Sequence, residues 1–209
     1  MSEPEPQRPP KAKNRLQALR REIGNLPNMI TLGRLFLIPP CLLLTKAGDP
    51  WSSFLAMLLF LLAAFLDVLD GWLARRRGLV TFFGKFVDPL ADKIMVTALF
   101  IELVAVDRLP TWLVALLLSR ELYISGLRML ALRENVEIVA GAGGKAKTAF
   151  QMVGICFLIV HYPYRMPIGG YLDCHAVGLL LIYVSLGLSY LSAVTYTMGF
   201  AREIERQSA

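Results

Sequence analysis

The chain has 209 residues, of which 56% are hydrophobic and only 18% charged. A soluble domain carries roughly 25% charged residues, and a mean hydropathy of +0.53 is high for a chain that must dissolve in water. These figures exclude a disordered chain, a nucleic-acid-binding basic domain and an ordinary soluble enzyme. They point instead to a multi-pass membrane protein. The net charge of +6 then reads as an orientation signal before it reads as a ligand signal. Cys41, Cys156 and Cys174 are odd in number and lack metal-ligand spacing, so they are expected to be apolar filler rather than a disulfide framework.

In chain order, residues 1–13 are rich in proline and charge, which predicts a disordered tail without the apolar core of a signal peptide. In residues 14–27, Leu16, Leu19, Ile23 and Leu26 recur at helical spacing among Arg15, Arg20 and Arg21. That pattern predicts an amphipathic helix in the membrane interface, with a solvated helical linker as the alternative. Six apolar runs follow, near 29–45, 51–75, 86–106, 111–131, 148–163 and 176–199. Only helices or closed barrels satisfy the backbone in lipid, and runs this long and continuous exclude barrel strands. The expected fold is all-α, with six transmembrane helices over residues 28–200 and a cytoplasmic tail at 201–209.

Lys and Arg are concentrated in the N-terminal tail, after the second run (Arg75, Arg76, Arg77, Lys85), after the fourth (Arg133, Lys145, Lys147) and at the C-terminus (Arg202, Arg206). The other connections hold one each: Lys46, Arg108 and Arg165. The positive-inside rule puts both termini and the two basic connections in the cytoplasm. Gly141 to Lys145 is not a P-loop, because Ala146 follows where Ser or Thr is needed.

Four carboxylates fall near one expected cytoplasmic face: Asp67, Asp70, Asp88 and Asp92. Asp67 and Asp70 are three apart and Asp88 and Asp92 four apart, so each pair shares a helix face. A short connection makes the two helices antiparallel neighbours. Four facing carboxylates repel unless cations lie between them, and hard divalent ions suit oxygen ligands. Two such ions suit phosphoryl chemistry. Gly71, Ala74, Gly78 and Gly84 leave room beside the acids, and Arg75 lies at headgroup level. Taken singly, the acids have plainer readings. Asp88-Pro89 can be an N-cap with proline at N1, Asp92 and Lys93 an interfacial ion pair, and Asp67 and Asp70 a cation path.

Written out, Asp67-x2-Asp70-Gly71-x2-Ala74-Arg75-x8-Gly84-x3-Asp88-x3-Asp92 resembles the signature of the CDP-alcohol phosphatidyltransferases, with every position filled. Asn25-Leu-Pro27-Asn28-x2-Thr31-x2-Arg34, Ser119-Arg120-Glu121-x3-Ser125-Gly126-x-Arg128 and Gly144-Lys145-x-Lys147-Thr148-x2-Gln151 resemble the branch that makes phosphatidylglycerophosphate. The resemblance implies six spanning helices, a homodimer in the cell (inner) membrane and a cytoplasm-facing site. It implies transfer of a phosphatidyl group from CDP-diacylglycerol to the 1-hydroxyl of sn-glycerol 3-phosphate, with release of CMP. It implies that Asp67, Asp70, Asp88 and Asp92 hold two Mg2+ or Mn2+ ions, with Asp92 also the general base. Gly71, Ala74, Arg75, Gly84 and Thr31 would line the CDP-diacylglycerol site.

The acceptor's phosphate needs cations of its own. Arg120 lies about 13 Å below the outer end of its helix if that begins at Thr111, with Glu121 or Glu102 as possible partners. An arginine at that depth is functional by default, although a structural ion pair is the alternative. Arg128, Lys145, Lys147 and Arg34 complete the candidate acceptor-phosphate set, and ordinary positive-inside charge explains them equally well. His161 and His175 fall on the outer side, away from the expected chemistry. The other readings are a related enzyme using serine, an inositol phosphate or phosphatidylglycerol as acceptor, and a cation transporter. Acids near one face, rather than at the midplane of broken helices, argue against the transporter.

Overall fold

The computed structural model describes residues 26–77, 82–134, 143–165 and 170–208. The expected N-terminal tail and the amphipathic segment up to residue 25 lie outside the described residues. The first apolar run is two helices, α1 (Leu26–Phe36) and α2 (Ile38–Ala47), separated by a turn at Leu37. The cause is local: Pro39 and Pro40 have no N–H to continue the α1 ladder. The Leu37 N–H closes instead on the Arg34 carbonyl at 3.0 Å. Restarting at Ile38 puts both prolines in a first turn, where a missing N–H costs nothing.

Helix α3 (Pro50–Arg77) follows Asp49, whose Oδ2 accepts the Ser52 N–H at 2.9 Å and caps the helix start. Its last turns hold the basic run, and the Arg76 guanidinium lies 4.9 Å from the Trp72 ring centroid. Helix α4 (Phe82–Ala105) starts well before Asp88. Asp88-Pro89 is therefore inside the helix, which overturns the N-cap reading of that dipeptide. After α4, Asp107 takes a left-handed φ of 55°, a conformation aspartate tolerates better than most residues, and the chain turns into α5 (Thr111–Arg133). Helix α6 (Gly143–Val160) is followed by two strands that the sequence did not announce. Strand β1 (Pro163–Arg165) pairs antiparallel with β2 (Tyr171–Asp173), with Tyr164 opposite Leu172. Asp173 Oδ1 accepts the Ala176 N–H at 3.0 Å and caps α7 (Cys174–Ser208), which continues through the segment expected to be a tail.

Among the described residues two helices are long and apolar enough to cross a membrane, one within α3 (Pro50–Leu73) and one within α7 (Cys174–Gln207). Only 22% and 28% of their apolar windows are buried. A core helix of a soluble protein would be mostly covered; these present their apolar side chains outward. Phe36, Leu122 and Leu132 are likewise 80%, 74% and 77% exposed. An apolar surface of that extent needs a non-aqueous neighbour. Charge interrupts α4 (Asp88, Asp92, Lys93) and α5 (Arg120, Glu121, Arg128), and the apolar stretch of α6 runs only from Ala146 to Val160.

The described chain divides into two units. The first takes α1, α3 from Leu62 onward and α4 up to Met95. The second takes the rest of α2, α3 and α4 together with α5, α6, the hairpin and α7. Within the second unit α6 and α7 meet at two glycines. A Cβ on Gly178 would lie 2.8 Å from Leu158 Cγ, and one on Gly154 would lie 2.9 Å from Ile182 Cδ1. Small residues let helix backbones approach closely enough to pack without a hydrophobic driving force. At the hairpin end of the same unit Arg108 is buried and donates from Nη1 to the Ile159 carbonyl at 2.7 Å. Its Nη2 lies 3.5 Å from the Thr45 carbonyl. Both carbonyls belong to last helical turns, which lack intrahelical donors, so one guanidinium closes the ends of α2 and α6. His175 Nε2 lies 3.1 Å from the Arg108 carbonyl. The cysteines are free, as expected, with Cys41 and Cys174 buried.

Candidate functional site

All four motif aspartates lie in the first unit, on α3 and α4, together with Thr31, Gly71, Ala74, Arg75, Gly84 and Arg34. Continuous helix through Asp67 and Asp70, and again through Asp88 and Asp92, gives each pair the one-turn spacing expected from the sequence. The side chains of Asp70, Ala74, Arg75, Asp88 and Asp92 lie outside the described residues, as does that of Thr31. Among the described residues no three metal-ligating side chains converge.

Asp67 is described, and it has a partner: its Oδ1 accepts a hydrogen bond from Arg34 Nη1 across α1 and α3. Arg34 is 2% exposed, while the Asp67 side chain is 38% exposed. Two further donors of Arg34, Nε and Nη2, are buried with no hydrogen-bond partner among the described residues. The sequence alone groups Arg34 with the acceptor-phosphate candidates; the structure pairs it with a motif aspartate. The signal for a partner was present in the sequence, because an arginine inside an apolar run needs a counter-charge. Its identity was not, because the two residues are 33 positions apart.

The donor set fits divalent ions. Carboxylate oxygens are hard ligands, and a carboxylate can give one oxygen to a guanidinium while the other remains for a metal. Outer partners of this kind orient ligating groups.

Arg120, Arg128, Lys145 and Lys147 belong to the second unit. The Lys145 side chain lies outside the described residues. Helix α5 begins at Thr111, as the depth argument for Arg120 required. Arg120 is 6% exposed, and its Nε donates to the Ser189 carbonyl of α7 at 2.8 Å. Its Nη1 donates to Glu121 Oε2 at 3.2 Å. Lys147 Nζ, from α6, donates to the same oxygen at 2.9 Å. Of the two suggested partners for Arg120, the structure selects Glu121. Arg128 is exposed, two turns along α5 toward its C-terminal end. Of the two serines that support the cluster, Ser125 is a position of the motif read in the sequence, whereas Ser185 is not. Ser185 Oγ donates to the Lys147 carbonyl at 2.9 Å, and Ser125 Oγ to the Glu121 carbonyl at 2.7 Å. Nothing distinguishes Ser185 from apolar-run filler before the helices are packed. Beside Arg120, an apolar groove of about 490 Å³ runs between α5 and α7, edged by Tyr123, Tyr190, Thr197 and Met198.

The fold and these two clusters define a helical membrane protein with a carboxylate motif in one unit and a glutamate-linked cation pair in the other. Residues 24–197 match the CDP-alcohol phosphatidyltransferase family, and the chain belongs to that family of transferases. It is similar to a Bacillus subtilis protein named CDP-diacylglycerol--glycerol-3-phosphate 3-phosphatidyltransferase, at 38% identity over 66% of this chain and 77% of the relative. A Mycobacterium tuberculosis protein named probable phosphatidylglycerophosphate synthase is 36% identical over 88% of this chain and 86% of its own length. A rice protein named cardiolipin synthase (CMP-forming) is 33% identical over 82% of this chain and 56% of its own length.

Proposed function

We propose that the chain transfers a phosphatidyl group from CDP-diacylglycerol to the 1-hydroxyl of sn-glycerol 3-phosphate, forming phosphatidylglycerophosphate and CMP in phospholipid biosynthesis. The observation that carries this reading is the complete aspartate motif on α3 and α4 within one unit. The names of the relatives supply the acceptor. Asp67, Asp70, Asp88 and Asp92 would hold two Mg2+ or Mn2+ ions. When bound, these supply positive charge to the diphosphate and the leaving CMP. Gly71, Ala74 and Gly84 would leave space for the nucleotide end, and Arg75 and Thr31 would line its edge.

In the reaction, the acceptor's hydroxyl oxygen bonds to the phosphatidyl phosphorus as the bond from that phosphorus to the CMP oxygen breaks. Asp92 takes the hydroxyl proton. Arg120 and Lys147, steadied by Glu121, would receive the acceptor's phosphate with Arg128 and Lys145. Arginine binds such a group bidentately and so directs the hydroxyl. The reading includes six spanning helices, both termini and the site on the cytoplasmic side of the inner membrane, and a homodimer.

The rice relative keeps phosphatidylglycerol open as a competing acceptor, and one experiment separates the two. Purified protein in detergent, given CDP-diacylglycerol, Mg2+ and an acceptor panel, releases CMP with glycerol 3-phosphate and not with serine, inositol phosphate or phosphatidylglycerol. Release with any of the others in its place overturns the acceptor assignment.

A further inference from the structure

A buried guanidinium has five N–H donors to satisfy. Arg34 is 2% exposed, and Asp67 takes one donor, on Nη1. Nε and Nη2 have no partner among the described residues. These two nitrogens share one edge of the guanidinium plane, the edge that grips an oxyanion through two parallel hydrogen bonds. Asp67 supplies a counter-charge but leaves that edge unsatisfied. Burying donors without acceptors is costly, and native proteins keep few of them.

We propose that the Nε/Nη2 edge of Arg34 is a binding site for the diphosphate of the donor nucleotide. Arg34 then ties α1 to the reaction through two contacts: one edge on the diphosphate, and Nη1 on Asp67. This rests on the phosphatidyl-transfer reading for the identity of the anion. Two observations favour the diphosphate over the acceptor's phosphate. Arg34 belongs to the unit that carries the aspartate motif, and its one partner among the described residues is the first aspartate of that motif. Either phosphate offers what the edge requires, two oxygens on one phosphorus, so its place beside the motif decides between them. A lysine has no such edge, so charge alone does not substitute for it.

The test uses the full chain in detergent micelles with Mg2+ and measures CDP affinity by calorimetry for wild type, Arg34→Lys and Arg34→Gln. The expected result is CDP affinity at least about tenfold weaker in both variants, with the KM for glycerol 3-phosphate unchanged. Mn2+ affinity without nucleotide, read by electron paramagnetic resonance, should be unchanged in Arg34→Lys. A second measurement needs no variant that folds. In 15N-arginine-labelled wild type, the Arg34 Nε–H resonance should shift on adding CDP and stay still on adding glycerol 3-phosphate. Wild-type CDP affinity in Arg34→Lys overturns the inference. So does a resonance that moves with glycerol 3-phosphate alone, or a loss of Mn2+ affinity equal to the loss of CDP affinity, which would mean that Arg34 acts only through Asp67. The functional reading fails separately, because its acceptor is decided by CMP release from wild type.

Discussion

Asp67 and Arg120 sit at opposite extremes of what a charged residue in an apolar helix does. Asp67 is partly exposed, with one oxygen engaged; Arg120 is buried and holds both a backbone carbonyl and a carboxylate. Their substitutions should therefore differ in kind. Asp67→Asn and Asp88→Asn should abolish CMP release while membrane insertion is retained, since removing a charge eases insertion. EDTA should do the same to wild type, and Mg2+ or Mn2+ should restore it; full turnover in chelator would rule out the two-metal site. Arg120→Ala should also loosen α5 from α7, because it removes the donor to the Ser189 carbonyl. Arg128→Ala is the cleaner probe, its side chain being exposed. It should raise the KM for glycerol 3-phosphate and leave that for CDP-diacylglycerol nearly unchanged. An exposed charge contributes less than a buried charge pair, whose loss costs about 2–5 kcal/mol, so the rise should be moderate and should shrink with salt. Steady-state kinetics with each substrate varied in turn decides this.

Among the elements, the α6–α7 contact gives the sharpest stability prediction. A methyl on Gly178 meets Leu158 at 2.8 Å, whereas one on Gly187 meets nothing within 4 Å. Gly178→Ala should destabilise the protein by about 1–3 kcal/mol, the usual cost of overpacking. Gly187→Ala on the same helix should do no harm, because alanine is the better helix former. Thermal unfolding in one detergent, compared across the pair, tests both. The start of α3 gives a pH effect. Hydrogen bonds from Ser52 hold the Asp49 carboxyl below its ordinary pKa. Its support of the helix is thus complete above about pH 4 and is lost as pH falls through the lowered value. A carboxyl 13C titration of Asp49 should show a midpoint below that of an exposed aspartate. The helices themselves were legible, because long apolar runs bounded by proline and charge leave little choice. The break at Leu37 was written in Pro39 and Pro40 but was masked by the apolar character of the run. The hairpin was not legible, since strands of three residues carry too short a pattern. Neither was the Gly154–Gly178 approach, which depends on how two distant segments pack.

For the whole molecule, the aspartate motif was readable because its spacings are local to two helices. The Arg34–Asp67 and Lys147–Glu121 pairs were not, because only the tertiary fold sets them. Orientation remains a whole-chain property, argued from where the basic residues fall. In a cysteine-free background, a cysteine at position 169 should react with an impermeant maleimide in intact cells, and one at position 143 only after permeabilisation. The reverse pattern would put the site on the side without cytosolic glycerol phosphate.

The 35 residues of α7 carry one more consequence. At about 1.5 Å per residue they make a rod of about 52 Å, against a hydrocarbon core of about 30 Å. The rod exceeds that core by about four turns, but exceeds the full bilayer of about 40–45 Å, headgroups included, by only about one to two. Arg202, Glu203, Glu205 and Arg206 mark the overhang as the C-terminal end. With α7 across the bilayer, its last residues would form a stiff helical end at the level of the headgroups. Arg202 and Arg206 are exposed there, so trypsin should reach them without any part of the bundle opening.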